Sequence, residues 1–326
     1  MGWIETGGDQ HVNGVLNQLW SLGYVSSSTT SQNMSIISYW RDKCLAVIFR
    51  FIIGLVNPVH ATPDEVCHIK SRGAGRSIKT HVYRSSSTGP SPVLLNFHGS
   101  GFLLPYHGSD DEFCRKVSRE TKYTVLDCPY RLAPEHPFPA ALNDVEDAIK
   151  YVLARPDEFD LTNVSLSGFS AGGNLALAAA TNLFPADTFR SLLAYYPVTD
   201  LSKDGAAKSA PVDQGRAIPV SVGRLFNRCY IPSTFDRRDP RISPLFAQAE
   251  QFPRRLLMIT ADGDSLAHEA EELAQKVEEL PGRHVVSQRM AGCTHAWDKR
   301  TRAGTPQYEA KDRAYKLAVD MLNMNS

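Results

Sequence analysis

The sequence has no excess of charge of either sign. Its 326 residues include 35 Lys and Arg and 35 Asp and Glu, so the formal net charge at pH 7 is +0. A protein that holds a phosphate backbone needs a surplus of basic residues. The balanced charge therefore argues against nucleic acid as a partner.

Cysteine is scarce and scattered along the chain. The residues are Cys44, Cys67, Cys114, Cys128, Cys229 and Cys293, with no C-x-x-C pair and no short-spaced framework. Zinc sites and disulfide scaffolds usually show such close spacing. We therefore expect reduced, mostly buried thiols and no metal site.

Long apolar runs and a secretory leader are also missing. The opening MGWIETGGDQHVNG lacks the basic and apolar regions of a signal peptide, and no segment reaches the roughly 20 apolar residues that span a bilayer. We expect a cytoplasmic protein without a transmembrane segment. MGWIET formally fits the N-myristoylation pattern, but bulky Trp3 and acidic Glu5 argue against acylation.

One apolar segment, residues 36–56, predicts a helix. Its apolar positions alternate at spacings of three and four, and Pro58 ends the pattern: Ile37, Trp40, Cys44, Ile48, Phe51 and Leu55. The polar face lacks the Lys and Arg enrichment of a membrane-surface helix. We favour a helix that covers the sheet or the site over a membrane-surface anchor.

From residue 66 onward, short β-rich runs alternate with helical patterns, which predicts an α/β fold with a mostly parallel sheet. The predicted strands are 66–70, 77–83, 92–97, 123–128, 163–167, 191–197, 255–261 and 284–290. Helices are predicted after Ser109, where SDDE forms a capping box, and over 140–154, 171–183, 266–280 and 309–322. The first strands lack intervening helices, so that edge is expected to be antiparallel.

A long segment rich in Pro and charge, residues 201–246, separates two of the predicted strands. It is far longer than the usual connection between a strand and a helix. We therefore predict a lid or cap at this position.

The pentapeptide GFSAG, residues 168–172, follows a predicted strand and opens a predicted helix. A nucleophile elbow needs this strand-turn-helix context, because the turn strains the Ser, and Gly on either side lets the backbone pack closely. The pattern G-x-S-x-G is common by itself. Its context makes Ser170 the candidate nucleophile.

The loop HGSGF, residues 98–102, directly follows the predicted strand PVLLNF. An HGGG-type loop in this position donates backbone N–H groups to an oxyanion. Ser100 replaces the middle Gly, and an amide donor does not depend on its side chain. An ordinary H-G-x-G turn is the alternative interpretation.

A general base and an acid would complete the site, in the chain order Ser, acid, His. Asp262 and Asp264 follow the strand RLLMITA, and His295 follows HVVSQRM. The carboxyl ends of parallel strands meet at one edge of a sheet, where sites form. Of the ten His residues, only His98 and His295 lie in such loops, so His295 is the candidate base. The spacing leaves Asp262 and Asp264 as alternative acids.

Together these motifs resemble the hormone-sensitive-lipase-like (GDXG, group IV) branch of the α/β hydrolases, and the sequence as a whole resembles fungal members most. HGSGF, YRLAPEHPFPAAL, GFSAGGN, GDSL and THAW occur in the family's order, over roughly residues 60–322. The resemblance implies an α/β-hydrolase fold with an eight-stranded, mostly parallel sheet and a helical cap. Residues 1–60 would form N-terminal cap helices and residues 61–326 the core, with the cap insertion at about 201–246.

The resemblance also implies the site residues. Ser170, Asp264 and His295 would form the catalytic triad, with oxyanion-hole N–H groups from Gly99, Ser100, Gly101 and Ala171. We expect a serine carboxylesterase that hydrolyses short-chain acyl esters of small molecules through an acyl-enzyme, without a metal or organic cofactor. A homodimer is the oligomeric state to test. The resemblance to fungal members suggests a role in secondary metabolism.

The sequence departs from the family pattern in three places. Ser100 replaces a Gly, Phe169 stands where many members have Asp or Glu, and Cys128-Pro129 stand where a Val-Asp pair is common. Acyl transfer and C–C cleavage could use the same triad and remain alternatives. A binding-only receptor is a further alternative, although receptors of this branch typically lose the catalytic His that is present here.

Overall fold

The computed structural model describes residues 36–56, 58–213 and 218–324. The chain divides into two units after Ile37, and the features below belong to the second. The MGWIET pattern and the cap helices predicted within residues 1–35 lie outside the described residues. Within the described ranges, none of the helices has the length and apolarity needed to cross a bilayer.

Eight strands and seven α-helices make up the described part of the chain. The strands are β1 (Glu65–Lys70), β2 (Ser77–Tyr83), β3 (Ser91–Phe97), β4 (Thr124–Cys128), β5 (Phe159–Phe169), β6 (Ser191–Tyr195), β7 (Arg255–Gly263) and β8 (His284–Thr294). The helices are α1 (Ile36–Val56), α2 (Asp111–Glu120), α3 (Ala140–Leu153), α4 (Ala171–Asn182), α5 (Val220–Tyr230), α6 (Ala267–Glu278) and α7 (Pro306–Asn323). All eight predicted strands are confirmed, and α5 lies inside the long insertion.

The strands form one sheet in the order β1-β2-β4-β3-β5-β6-β7-β8. β2 pairs antiparallel with both β1 and β4, and every other neighbouring pair is parallel. The predicted mostly parallel sheet with an antiparallel edge is confirmed. Because β3, β5, β7 and β8 run in the same direction, the loops at their carboxyl ends meet at one edge.

The central strands are buried along their whole length. Every residue of β4 (TVLDC) and β6 (SLLAY) is buried, so their apolar residues run continuously instead of alternating. This pattern is typical of parallel strands that helices cover on both faces. Four of the six cysteines are also buried and all six are free, as predicted.

Two predicted helix starts differ from the observed ones. The capping box at Ser109 is wrong, because α2 has Asp110 as its N-cap residue and no side-chain cap. The Asp110 carboxylate instead accepts hydrogen bonds from Ser109 and from Asn96, within a buried network described below. Helix α7 begins earlier than predicted, since Thr305 caps it by accepting the N–H of Tyr308.

Arg50, the one charge within the apolar run of α1, joins this helix to the loops that follow β3 and β4. Its guanidinium donates to the Leu103 carbonyl at 2.8 Å and to the Ala133 carbonyl. It also forms a two-point pair with the Glu135 carboxylate, at 2.8 and 3.0 Å. Bidentate pairs of this kind fix geometry as well as adding energy. Arg50 therefore holds α1 in register on the loops.

Helix α5 contacts α1 as well. Asp42 of α1 is buried and pairs with Arg228 of α5 at 3.0 Å. The rings of Phe49 and Phe226 lie 5.9 Å apart between the same two helices. One ionic and one aromatic contact thus join α1 to the insertion.

We expect Arg50→Met to loosen α1, because it removes a bidentate pair and two carbonyl contacts from a half-buried position. The cost should be about 2 kcal/mol, as for hydrogen bonds to a charged group. Limited proteolysis should then cut α1 faster, and the denaturation midpoint should fall. Arg41→Met is the matched control, since Arg41 is exposed and pairs only with its neighbour Asp42 among the described residues. Equal cleavage of both variants would contradict the anchoring role of Arg50.

Candidate active site

Ser170 occupies a strained turn between β5 and α4. Its φ of 51° and ψ of −115° lie where residues with a side chain are rarely found. Such a conformation costs on the order of 1–3 kcal/mol and persists only when the surrounding structure enforces it. The backbone turns sharply here and presents the hydroxyl at the carboxyl edge of the sheet.

Two glycines make this turn possible. A Cβ at Gly168 would collide with the carbonyl of Gly172, and a Cβ at Gly172 would collide with the carbonyl of Phe97 at the end of β3. The elbow motif is therefore required by close backbone packing between β3, β5 and α4.

The three residues selected as a triad form a continuous hydrogen-bonded chain. Ser170 Oγ lies 2.9 Å from His295 Nε2, and His295 Nδ1 lies 2.7 Å from Asp264 Oδ2. Asp264 is buried, and its other oxygen accepts the N–H of Leu266 at 3.0 Å. The carboxylate is thus oriented toward the imidazole, which can accept a proton from the Ser hydroxyl on its opposite side.

Asp262, the alternative acid, has a different set of contacts. Its carboxylate accepts the N–H of Gly292 at 3.1 Å, and its backbone carbonyl accepts the N–H of Val212 at 2.9 Å. Gly292 lies three residues before His295, so Asp262 supports the loop that carries the imidazole. Geometry therefore favours Asp264 as its hydrogen-bond partner.

The HGSG loop lies beside Ser170. A Cβ built on Gly99 would lie 3.5 Å from the Ser170 Cβ. Among the described residues, no acceptor pairs with the four backbone N–H groups selected from the sequence, those of Gly99, Ser100, Gly101 and Ala171. Unpaired N–H groups next to a nucleophile can receive the oxygen of a bound carbonyl group.

The side chain of Ser100 is held by Tyr130, from the YRLAPE segment. Tyr130 donates its hydroxyl proton to the His98 carbonyl at 2.6 Å, so the contact of 2.7 Å with Ser100 must use the Ser proton. Ser100 Oγ also accepts the N–H of Phe102 at 2.8 Å. The Ser that replaces the family's Gly thus forms hydrogen bonds that fix the loop.

His98 is buried and stacks on Tyr130 at a centroid distance of 4.6 Å. Burial and the nearby His107 lower the pKa of His98 to about 4. Its imidazole is therefore neutral near neutral pH, and it serves as a packing element under the loop.

A buried ion cluster lies next to Phe169, the residue before Ser170. Lys299 Nζ lies 3.6 Å from the centre of the Phe169 ring and forms ion pairs with Asp110 at 2.8 Å and Asp298 at 2.9 Å. Burial lowers the pKa of Lys299, but the two carboxylates outweigh it and raise that pKa above its usual value. Burial likewise raises the pKa of Asp298, but Lys299 and hydrogen bonds bring it below its usual value.

This cluster also reaches His295. Tyr196 and Tyr315 donate their hydroxyl groups to Asp298, at 2.6 and 2.7 Å. The ring of Tyr196 packs edge-on against His295, with centroids 4.9 Å apart. Sequence reasoning missed Tyr196, Asp298 and Lys299, and only the position of the last two just after THAW hinted at them.

Helix α5 closes over the HGSG loop. Its Phe226 ring lies so near Gly101 that a Cβ there would collide with it. Its Tyr230 ring stacks on Phe102 at a centroid distance of 3.6 Å. The unusual length of the 201–246 segment predicted a lid or cap, but no motif identified Phe226 or Tyr230.

Known proteins resemble this chain in sequence and in structure. A family described by the alpha/beta hydrolase fold matches residues 94–299. EstE1, a thermostable carboxylesterase cloned from a metagenomic library, is 29% identical with a TM-score of 0.70, covering 86% of this chain and 98% of its own. An esterase from Pyrobaculum calidifontis is 26% identical with a TM-score of 0.69, covering 94% and 97%.

A fungal structure, carboxyl esterase 2 from Tuber melanosporum, is 19% identical with a TM-score of 0.67 and covers 86% of this chain and 99% of its own. At that identity it shares the fold alone. No protein with a curated function matches this chain.

We expect Lys299→Met to destabilise the fold strongly, because Asp110 and Asp298 would be left buried without their cation. Breaking a buried pair in this way costs about 3–5 kcal/mol. Chemical denaturation measures the loss. Lys316→Met is the matched control, since its pair with Asp320 is exposed and should contribute at most about 1 kcal/mol. Equal losses in the two variants would show that the cluster adds nothing beyond a surface pair.

Proposed function

The chain belongs to the α/β hydrolase family, and we propose that it is a serine carboxylesterase acting on short-chain acyl esters of small molecules. The observation that carries the proposal is the contact of Ser170 with His295 beside unpaired backbone N–H groups. In this proposal Ser170 is the nucleophile, His295 the general base and Asp264 the acid.

The reaction begins with attack of Ser170 Oγ on the acyl carbonyl of the ester. His295 Nε2 takes the hydroxyl proton at its distance of 2.9 Å, and Asp264 stabilises the imidazolium through Nδ1. His295 then gives the proton to the leaving alcohol, which leaves an acyl-enzyme. A water activated by the same nitrogen attacks this intermediate and releases the acid.

Backbone N–H groups would stabilise the negative oxygen that forms in both steps. Gly99, Ser100, Gly101 and Ala171 are the proposed donors. Removing one donor from such a site typically costs on the order of 10²–10³ in kcat. The hydrogen bonds of the Ser100 side chain with Tyr130 and with the N–H of Phe102 would keep the loop in its donating conformation.

We assign the cap to α1 and the 201–246 insertion, over a core of residues 61–326. The Arg50 contacts and the Phe226 contact with Gly101 support this assignment, since both attach cap helices to the loops around the site. In this arrangement α1 covers the acyl pocket instead of binding a membrane, and Phe226 would form one wall of that pocket.

Three finer parts of the proposal rest on the sequence alone: a cytoplasmic location, a homodimer and a role in fungal secondary metabolism. Acyl transfer and C–C cleavage would use the same residues, and product analysis with an added alcohol acceptor separates transfer from hydrolysis. A binding-only role is disfavoured, because His295 is present and in contact with Ser170.

We expect Ser170→Ala to abolish ester turnover and covalent labelling by an organophosphate, because both need the hydroxyl as nucleophile. Assays with aryl esters of increasing acyl length measure turnover, and mass spectrometry measures the adduct. Circular dichroism should show an unchanged fold. Labelling of the variant at the wild-type rate would refute the assignment of Ser170.

A pair of Asn substitutions tests the choice of acid. Asp264→Asn should lower kcat by on the order of 10⁴, because the amide favours the wrong imidazole tautomer. Asp262→Asn should be mild, since the Asn side-chain oxygen can still accept the N–H of Gly292, the one hydrogen bond that the Asp262 carboxylate makes among the described residues. Comparing kcat/KM for the two variants decides the matter: greater damage from Asp262→Asn would place the acid two residues earlier.

A further inference from the structure

Two histidines and an aspartate lie together at the antiparallel edge of the sheet, apart from the triad. His81 of β2 and Asp127 of β4 are directly paired across the two strands, so their side chains lie on the same face. His107 comes from the loop between β3 and α2. One ligand atom from each residue lies within 4.8 Å of the other two.

Polar atoms in this cluster lack partners. Asp127 is fully buried, and its Oδ2 and the Nδ1 of His81 make no hydrogen bond among the described residues. The backbone N–H of Gly108 partly offsets the rise in the pKa of Asp127 that burial causes. The two unpaired atoms face each other at 4.0 Å, and His107 Nε2 lies 3.4 Å from the same oxygen. Buried polar groups are normally satisfied, so these atoms point to a missing partner.

Hydrogen bonds from Asn96 hold the Asp127 carboxylate in this orientation. Asn96 donates one N–H to Asp127 Oδ1 and the other to Asp110, both at 2.9 Å, and accepts the hydroxyl of Ser167 at 2.8 Å. Ligating carboxylates in metal sites are usually held by an outer hydrogen bond of this kind. Oδ2 is therefore fixed toward the two imidazoles.

We propose that His81, His107 and Asp127 bind one divalent cation of the zinc class. Two imidazole nitrogens and one carboxylate oxygen form a donor set that suits Zn²⁺, with a water in the fourth position. The ion would link β2, β4 and the loop after β3, and so stabilise the antiparallel edge of the sheet.

The spacing fits this ion once the two imidazoles turn apart. Their rings are now stacked, with centroids 4.0 Å and planes 30° apart, so one ring must rotate before both nitrogen lone pairs point at the same ion. Ligands about 2.0–2.2 Å from a tetrahedral ion lie roughly 3.3–3.6 Å apart. The distance of 3.4 Å from Asp127 to His107 already agrees, and the distance of 4.0 Å to His81 must shorten by a few tenths of an ångström. His107 Nε2 now donates to the Asp127 carbonyl at 2.9 Å, so binding moves its proton to Nδ1 and exchanges that hydrogen bond for a metal bond.

Cobalt provides the direct test on the full chain. Protein freed of metal by a chelator is titrated with Co²⁺ at mildly alkaline pH, because imidazole and carboxylate ligands must be deprotonated to bind a metal ion. We expect saturable visible absorption at one Co²⁺ per chain, which Zn²⁺ abolishes. At a Zn²⁺ concentration about 100 times Kd, the melting temperature should rise by roughly 4 °C.

Three variants locate the site. His81→Gln and Asp127→Asn should each weaken Co²⁺ binding by at least about 100-fold, since each removes a direct ligand. Asp127→Asn should also fold at least as stably as the metal-free wild type, because it removes a buried carboxylate whose Oδ2 has no hydrogen-bond partner among the described residues. His68→Gln is the matched control, as His68 lies exposed on the neighbouring strand β1. Its Co²⁺ affinity should be unchanged.

The proposal is overturned if the wild type gives no saturable cobalt absorption. It is also overturned if His68→Gln weakens binding as much as His81→Gln, or if Asp127→Asn retains the wild-type affinity, since the ion would then be adventitious. Ester turnover is not a readout, so the result is independent of the proposed esterase function.

Discussion

The close approach of β3, β5 and α4 is the constraint on which the rest of the site depends. At Gly172 the first turn of α4 touches the carbonyl of Phe97, with no room for a Cβ. This contact sets the strained conformation of Ser170 and brings the loop after β3 beside it. Because Ser170, the proposed nucleophile, and the loop that carries the proposed oxyanion donors come from the two sides of one contact, backbone packing fixes their separation without relying on flexible side chains.

The parallel sheet supplies the other half of the site. Asp264 follows β7 and His295 follows β8, and these neighbouring parallel strands bring the two loops together. The chain from Ser170 to Asp264 thus spans three strand ends that are far apart in sequence. The contacts of α1 and α5 with the loops after β3 and β4 partly enclose this carboxyl edge.

Phe169 changes how the region behind the nucleophile is stabilised. Where many relatives carry an acid, this chain places an aromatic ring under Lys299, and two other carboxylates balance the cation. A buried charge is tolerated only when paired, so the cluster must stay complete. Through Tyr196 the same cluster packs against His295, and through Asn96 it connects to Asp127 at the sheet edge. One buried polar network therefore runs beneath the site and on to the antiparallel edge.

The sequence by itself determined the strands, the mostly parallel character of the sheet and the candidate residues Ser170 and His295, because apolar periodicity and short motifs are local signals. It left the acid open between Asp262 and Asp264 until the resemblance was used, since both follow the same strand. It could not indicate Tyr196 or Phe226, or the cluster of His81, His107 and Asp127, whose members are far apart in the chain and share no spacing pattern. Only the tertiary structure decided those contacts, because cross-strand pairing and burial, which create them, do not exist before the sheet has formed.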